Sequence, residues 1–126
     1  MQNIILSLLV LFFITGCASK QANTSKPAIV IFKTKKLNFY DQGFVTHFDN
    51  YTKLQVYSMG QSVLELDVSP KKVCSPMFSC IKSQTFNNKF LHHSYEDDFL
   101  YKLLNKKRIH HKDKKNKIFI KVKYVK

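Results

Sequence analysis

The sequence predicts an α+β domain: a curved antiparallel sheet with one or two short helices packed on one face. Three observations predict it. Stretches rich in β-branched and aromatic residues recur through the first half of the chain and return at its end, separated by turn-forming residues. The stretch between them carries apolar residues at helical spacing. Turn signals near Gly43, Gly60 and Lys114 each join two strand-like runs and so read as hairpin centres.

Folded structure is expected to begin at Ala28. Ala28 to Thr34 (AIVIFKT) has strand composition, and Leu37 to Tyr40 continues in kind after two lysines. Asp41-Gln42-Gly43 reads as a turn, since glycine tolerates the positive φ that turns demand. Phe44 to Phe48 alternates Phe44, Thr46 and Phe48 with Val45 and His47, and Asp49-Asn50 marks the next turn.

Thr52 to Tyr57 and Val63 to Val68 flank Gly60 as a hairpin. A two-residue loop at Gly60-Gln61 would set charged Glu65 against apolar Val56. An odd loop centred on Gly60 instead pairs Val56 with Leu64 and Leu54 with Leu66 on one face. It pairs Lys53 with Asp67 and Gln55 with Glu65 on the other. Only that register gives one buried and one wet face, so the hydrophobic pattern selects it. Ser69-Pro70 ends the strand, because proline cannot donate to a ladder.

Gln84 to Leu91 reads as a short helix with Phe86, Phe90 and Leu91 on one side. A second helix is expected from Ser94. Ser94 and Asp97 form an S-x-x-D cap, and Glu96, Asp97 and Asp98 crowd the positive end of the dipole. Its apolar stripe is Tyr95, Phe99, Leu100, Leu103 and Leu104, with Lys106, Lys107 and Arg108 at the negative end. Lys112 to Asn116 then forms a charged turn. Beyond it Ile118, Ile120, Val122 and Tyr124 alternate with Lys117, Phe119, Lys121 and Lys123, and Arg108 to His111 is placed to pair with them.

Ahead of these elements stands an apolar run, Ile4 to Ile14, broken only by Ser7. Eleven residues fall short of the roughly 20 that a spanning helix requires, and the length suits the central region of a signal peptide. Ile14-Thr15-Gly16-Cys17 closes it. That box resembles the lipobox of bacterial lipoproteins. The resemblance implies diacylglycerol on the Cys17 sulfur, cleavage after Gly16, and a mature chain attached to a membrane through its lipid, facing the cell envelope. Ala18-Ser19 follow the cysteine with no Asp beside it, which by the enteric sorting rule implies the outer membrane, facing the periplasm. The expected organisation is therefore a signal peptide over 1–16, a lipidated flexible tether over 17–27 (small and polar) and one α+β domain over 28–126.

The cysteines left after lipidation are Cys74 and Cys80. In an exported protein such a pair is expected to bridge, and five intervening residues including Pro76 allow a compact loop. The spacing matches neither a zinc nor a C-x-x-C redox motif. Four of the five histidines fall as His92-His93 and His110-His111. Adjacent residues on a strand point to opposite faces, so exposed loop histidines rather than a metal site are expected, and no cofactor is implied.

The chain carries a formal charge of +13. The excess concentrates at the end, where Lys102 to Lys126 holds one acid, Asp113. Lys112, Lys114, Lys115, Lys117, Lys121 and Lys123 would make a positive strip suited to anionic lipid, lipopolysaccharide or another envelope polyanion. Two plainer accounts exist. Lysine outnumbers arginine 20 to 1, as an AT-rich genome produces, and lysines also keep edge strands from pairing. Nucleic acid is not an expected partner of an exported chain.

There is no G-x-S-x-G, and three glycines leave no room for a phosphate-cradling loop, so no enzyme is read here. A second resemblance concerns the mature part. Its successive strands, Asp97-Asp98-Phe99-Leu100 and the lysine-rich Lys112 to Lys121 are similar to LolB-like outer-membrane lipoproteins. That resemblance implies an open barrel with helices in its mouth and a binding or assembly role toward acyl chains. The alternative is a surface-interaction protein that holds polyanions through its basic face.

Overall fold

A computed structural model of the chain describes residues 24–125. The elements run β1 (Ser25–Lys33), β2 (Asn38–His47), β3 (Thr52–Ser58), β4 (Gln61–Val68), β5 (Lys72–Ser75) and β6 (Ser79–Lys82). Two helices follow, α1 (Ser83–Phe90) and α2 (Phe99–Leu104), and then β7 (Ile109–Asp113) and β8 (Ile118–Tyr124). All eight strands form one antiparallel sheet in the order β6-β5-β4-β3-β2-β1-β8-β7, open, with β6 and β7 at its edges. The architecture is the α+β curved sheet that the sequence predicts. The leader over 1–16, Cys17 and most of the tether lie outside the described residues.

Alternation sorts each strand into a buried and an outer face. Val30 and Phe32 of β1, Val45 of β2, Leu54 and Val56 of β3, Leu64 and Leu66 of β4, and Ile118 and Ile120 of β8 are buried. They share one core with Phe86 and Phe90 of α1 and Leu100, Leu103 and Leu104 of α2. The helical segment has to travel far, because it leaves β6 at one edge and delivers the chain to β7 at the other. Flat strands spaced about 4.8 Å apart would separate those edges by roughly 34 Å. Curvature shortens the chord, and the helices share one core with the sheet.

The hairpin at Gly60 has the register that the hydrophobic pattern selects: Val56 faces Leu64, Leu54 faces Leu66, Lys53 faces Asp67 and Gln55 faces Glu65. The odd residue count arises from two devices. Met59 and Gly60, both with positive φ, make a two-residue turn of the primed type, and Val63 is an extra residue bulged from β4.

Three expectations are corrected. Gly43 lies in the middle of β2, opposite Ala28 and Val56, and the hairpin turns at Lys35-Lys36 instead. Thr34 supplies what the missing glycine would, its hydroxyl accepting from the N–H groups of Lys36 and Leu37 at 3.2 and 3.0 Å. Strand β1 starts at Ser25, inside the expected tether, because β2 extends far enough to pair with it and Ser25 Oγ lies 2.7 Å from Thr46 Oγ1. Helix α2 begins at Phe99 and not after Ser94, and no side chain caps it. The Glu96 carbonyl accepts from the buried Asn87 amide at 2.8 Å, and the Tyr95 hydroxyl is held by Asp113. These bonds, with the turn bond from the Phe99 N–H to the Glu96 carbonyl at 3.0 Å, tie the segment before the helix to α1 and to β7. Lys106, Lys107 and Arg108 consequently lie beyond the last turn.

Candidate functional site

The register of β2, β1, β8 and β7 lays out the face turned away from the core. Four cross-strand rows cover it: Asn38-Lys33-Phe119-Lys112, then Tyr40-Ile31-Lys121-His110, then Gln42-Ile29-Lys123, and last Phe44-Pro27. None of these residues is acidic. Lys33, Lys112 and Lys123 are exposed and Lys121 is half-buried. Among the described residues no carboxylate lies within 4 Å of any of the four.

The same face exposes aromatic surface. Tyr40 is 64% exposed and Phe44 38%. Lys33 Nζ sits 5.8 Å from the centre of the Tyr40 ring, a cation–π distance, and Phe44 meets the Tyr57 ring edge-on at 5.8 Å. Pro27, Ile29, Gln42, Phe44, Tyr57 and Val125 line a shallow groove of about 210 Å³ there. Acids return to this side of the sheet only at β4, where Glu65 and Asp67 lie 3.3 and 3.7 Å from Lys53.

The six lysines read from the sequence divide in two. Lys121 and Lys123 lie on the face in β8, and Lys112 lies beside them in β7. Lys114, Lys115 and Lys117 sit at the tip of the β7–β8 hairpin. Lys117 is therefore not a strand residue. Its φ is +57°, a left-handed conformation that lets four residues close the turn between Asp113 and Ile118. Nor is β8 an edge strand, since it pairs with β1 on one side and β7 on the other. Sequence reasoning missed Lys33, Tyr40 and Phe44. The alternation of β1 places Lys33 outward, but only the β1–β8 pairing brings it beside Phe119.

On the buried side, a polar cluster joins the loop before α2 to the β7–β8 hairpin. Tyr95 donates its hydroxyl to Asp113 Oδ2 at 2.5 Å, so its oxygen is left to accept from His111 Nε2 at 2.9 Å. Asn116 adds bonds to both Asp113 oxygens at 3.1 and 2.8 Å. The phenol and the amide hold the Asp113 carboxyl down at about 2. Burial, then the Asp113 hydrogen bond, push the Tyr95 hydroxyl up, and burial pushes His111 down. The histidine pairs stay apart in role: His92 bonds Ser94, His110 packs on Phe119 and His111 belongs to this cluster. Among the described residues no three His, Cys, Asp or Glu side chains gather as a metal-ligand set.

Cys74 and Cys80 form a disulfide across the β5–β6 hairpin, where the two residues stand directly opposite. No described helix is long and apolar enough to cross a membrane. No protein-family model, no curated protein and no solved structure matches the chain.

Proposed function

We propose that this protein is a lipid-anchored component of the bacterial cell envelope, held through Cys17 at the outer membrane. It acts by binding rather than by catalysis, through the lysine face of β1, β8 and β7 on an anionic surface. One observation carries the reading: β8 is an interior strand. Lysines that merely guard an edge belong on a strand with an open side, and β8 has none. Lys33, Lys121 and Lys123 instead form an acid-free field on a paired surface, which is how a protein concentrates positive potential toward a polyanion. The opposite face is filled by Phe86, Phe90, Leu100, Leu103 and Leu104, so this reading places the binding surface outside the sheet and not among the helices.

The test uses unlipidated chain over residues 17–126 with Cys17→Ser, which retains every described strand and helix. Its binding to vesicles containing phosphatidylglycerol is compared with that of Lys33→Gln/Lys121→Gln/Lys123→Gln. Each basic residue at an anionic surface contributes about 1 kcal/mol. The triple variant should therefore bind roughly 100-fold more weakly at low salt, and added salt should close the gap. Equal binding to neutral and anionic vesicles, unmoved by salt, would assign the lysines to composition alone.

A further inference from the structure

Lysines alone would suit any polyanion, but this face also exposes aromatic and aliphatic surface, and that narrows the partner. Tyr40 and Phe44 stand on β2 in the same rows as the half-buried Ile31 and the Pro27 edge of the groove. A soluble polyanion offers such side chains nothing apolar to enter. A bilayer does, because its headgroup boundary takes aromatic rings and lysine stems while phosphates meet the ammonium groups.

We propose that this face lies against the bilayer that carries the lipid anchor, with Tyr40 and Phe44 seated at the headgroup boundary and Lys33, Lys121 and Lys123 on phosphates around them. The inference rests on the function proposed above and adds the partner and the orientation. Charge complementarity is one argument, since β2, β1, β8 and β7 present no acid on this face. The boundary of the footprint is another. Acids appear on this side only at β4, where Glu65 and Asp67 pair with Lys53.

Chain length supplies the third argument. Seven residues, and so eight Cα–Cα steps, lie between Cys17 and Ser25, a covalent reach of at most about 29 Å. The rows from Phe44 to Lys33 span Pro27 to Lys33 of β1, six residue steps or about 20 Å along the strand. A short link of this kind turns the second contact into an intramolecular one, at an effective concentration no free partner matches. The anchored bilayer is thus the surface that this face meets first.

The chain contains no tryptophan, so a single introduced one reports alone. Tyr40→Trp, Phe44→Trp and, as a control in the β5–β6 turn, Met77→Trp are each made in the 17–126 chain with Cys17→Ser. Each is mixed with vesicles of phosphatidylglycerol and phosphatidylcholine, with and without brominated acyl chains. Co-sedimentation measures binding, and emission measures seating. The Tyr40→Trp and Phe44→Trp proteins should show a blue shift on binding and lose emission to brominated lipid, with Met77→Trp unchanged. Salt-sensitive binding without shift or quenching would overturn the seating and leave the anionic-surface reading standing. Quenching of Met77→Trp to the same degree would put another face on the bilayer and overturn the orientation. Absence of binding by every protein would overturn both. A Tyr40→Ala/Phe44→Ala protein with an unchanged thermal midpoint should bind less tightly than its parent, which separates lost seating from lost folding.

Discussion

Tyr95 shows how much one side chain can redirect. It belongs to the apolar stripe of an expected helix, yet its hydroxyl bonds Asp113 and His111 and draws the chain out of helical geometry over Ser94 to Asp98. The titration of this cluster gives a pH profile whose signs follow from the shifts. Asp113 is held at about 2 against an ordinary 3.8, so its contribution is present above the ordinary value and lost as pH falls through the two. His111 is lowered from 6.5 and is favoured neutral, so its contribution also disappears as pH falls below that value. Tyr95 is raised above 10.0, and its contribution disappears as pH rises past that value, where the unfolded chain ionises first. The thermal midpoint should therefore be broadest and highest between about pH 6.5 and 10. Measured against pH, Tyr95→Phe should lower that plateau and flatten its alkaline edge. An unchanged profile in the variant would show that the cluster does not couple to folding.

Gly43 and Gly60 contrast two uses of the same residue. A Cβ on Gly43 would stand 2.0 Å from the Gln55 carbonyl oxygen, a backbone atom fixed in the ladder. A Cβ on Gly60 would meet nothing within 4 Å, and only its left-handed backbone, with φ +79°, resists substitution. Gly43→Ala should cost about 3 kcal/mol or more by overpacking, and Gly60→Ala about 1 kcal/mol by backbone strain. Urea denaturation of the two variants checks the order, and equal midpoints would refute the close-approach role.

At the scale of elements, β8 decides the most. Its alternation made a buried face and a lysine face legible, and Ile118, Ile120 and Val122 are buried as that alternation requires. What alternation could not show is that both of its sides are paired. The β3–β4 hairpin is the opposite case, since a short loop and a two-faced pattern leave one register, and Lys53 between Glu65 and Asp67 completes it. Such half-buried ion pairs at the sheet surface contribute little energy, about 0–1 kcal/mol. Their value is in excluding the slipped register, where charge would meet the core.

At the scale of the molecule, the helices pack on one side of the curved sheet and the described residues leave the other uncovered; under the function proposed above, the Cys17 anchor determines what that side meets. Cys17→Ser in the full chain should abolish fatty-acid labelling and leave the leader uncut at Gly16, read by metabolic labelling and intact mass. Normal processing with retained membrane attachment would remove the lipoprotein reading. The disulfide ties the far edge, closing β5 on β6 where a two-strand ribbon of four residues each has little core of its own.

The sequence by itself determined what short-range chemistry can decide: the β3–β4 register, the Cys74–Cys80 disulfide, helix α1 and the strand after the lysine turn. In each, the partners lie close in the chain, and one hydrophobic face admits one arrangement. The tertiary structure decided the rest. Pairing of β1 with β8 joins residues some ninety apart, for which alternation names a face but not a neighbour. Gly43 looked like a turn because glycine serves both turns and close approaches, and only the proximity of Gln55 tells which. Ser94 looked like a cap because local propensity favours one, and bonds from Asn87 and Asp113 outweighed it. The lysine face lies on the same divide, its charge written in the chain and its continuity with Lys33, Tyr40 and Phe44 made by strand order.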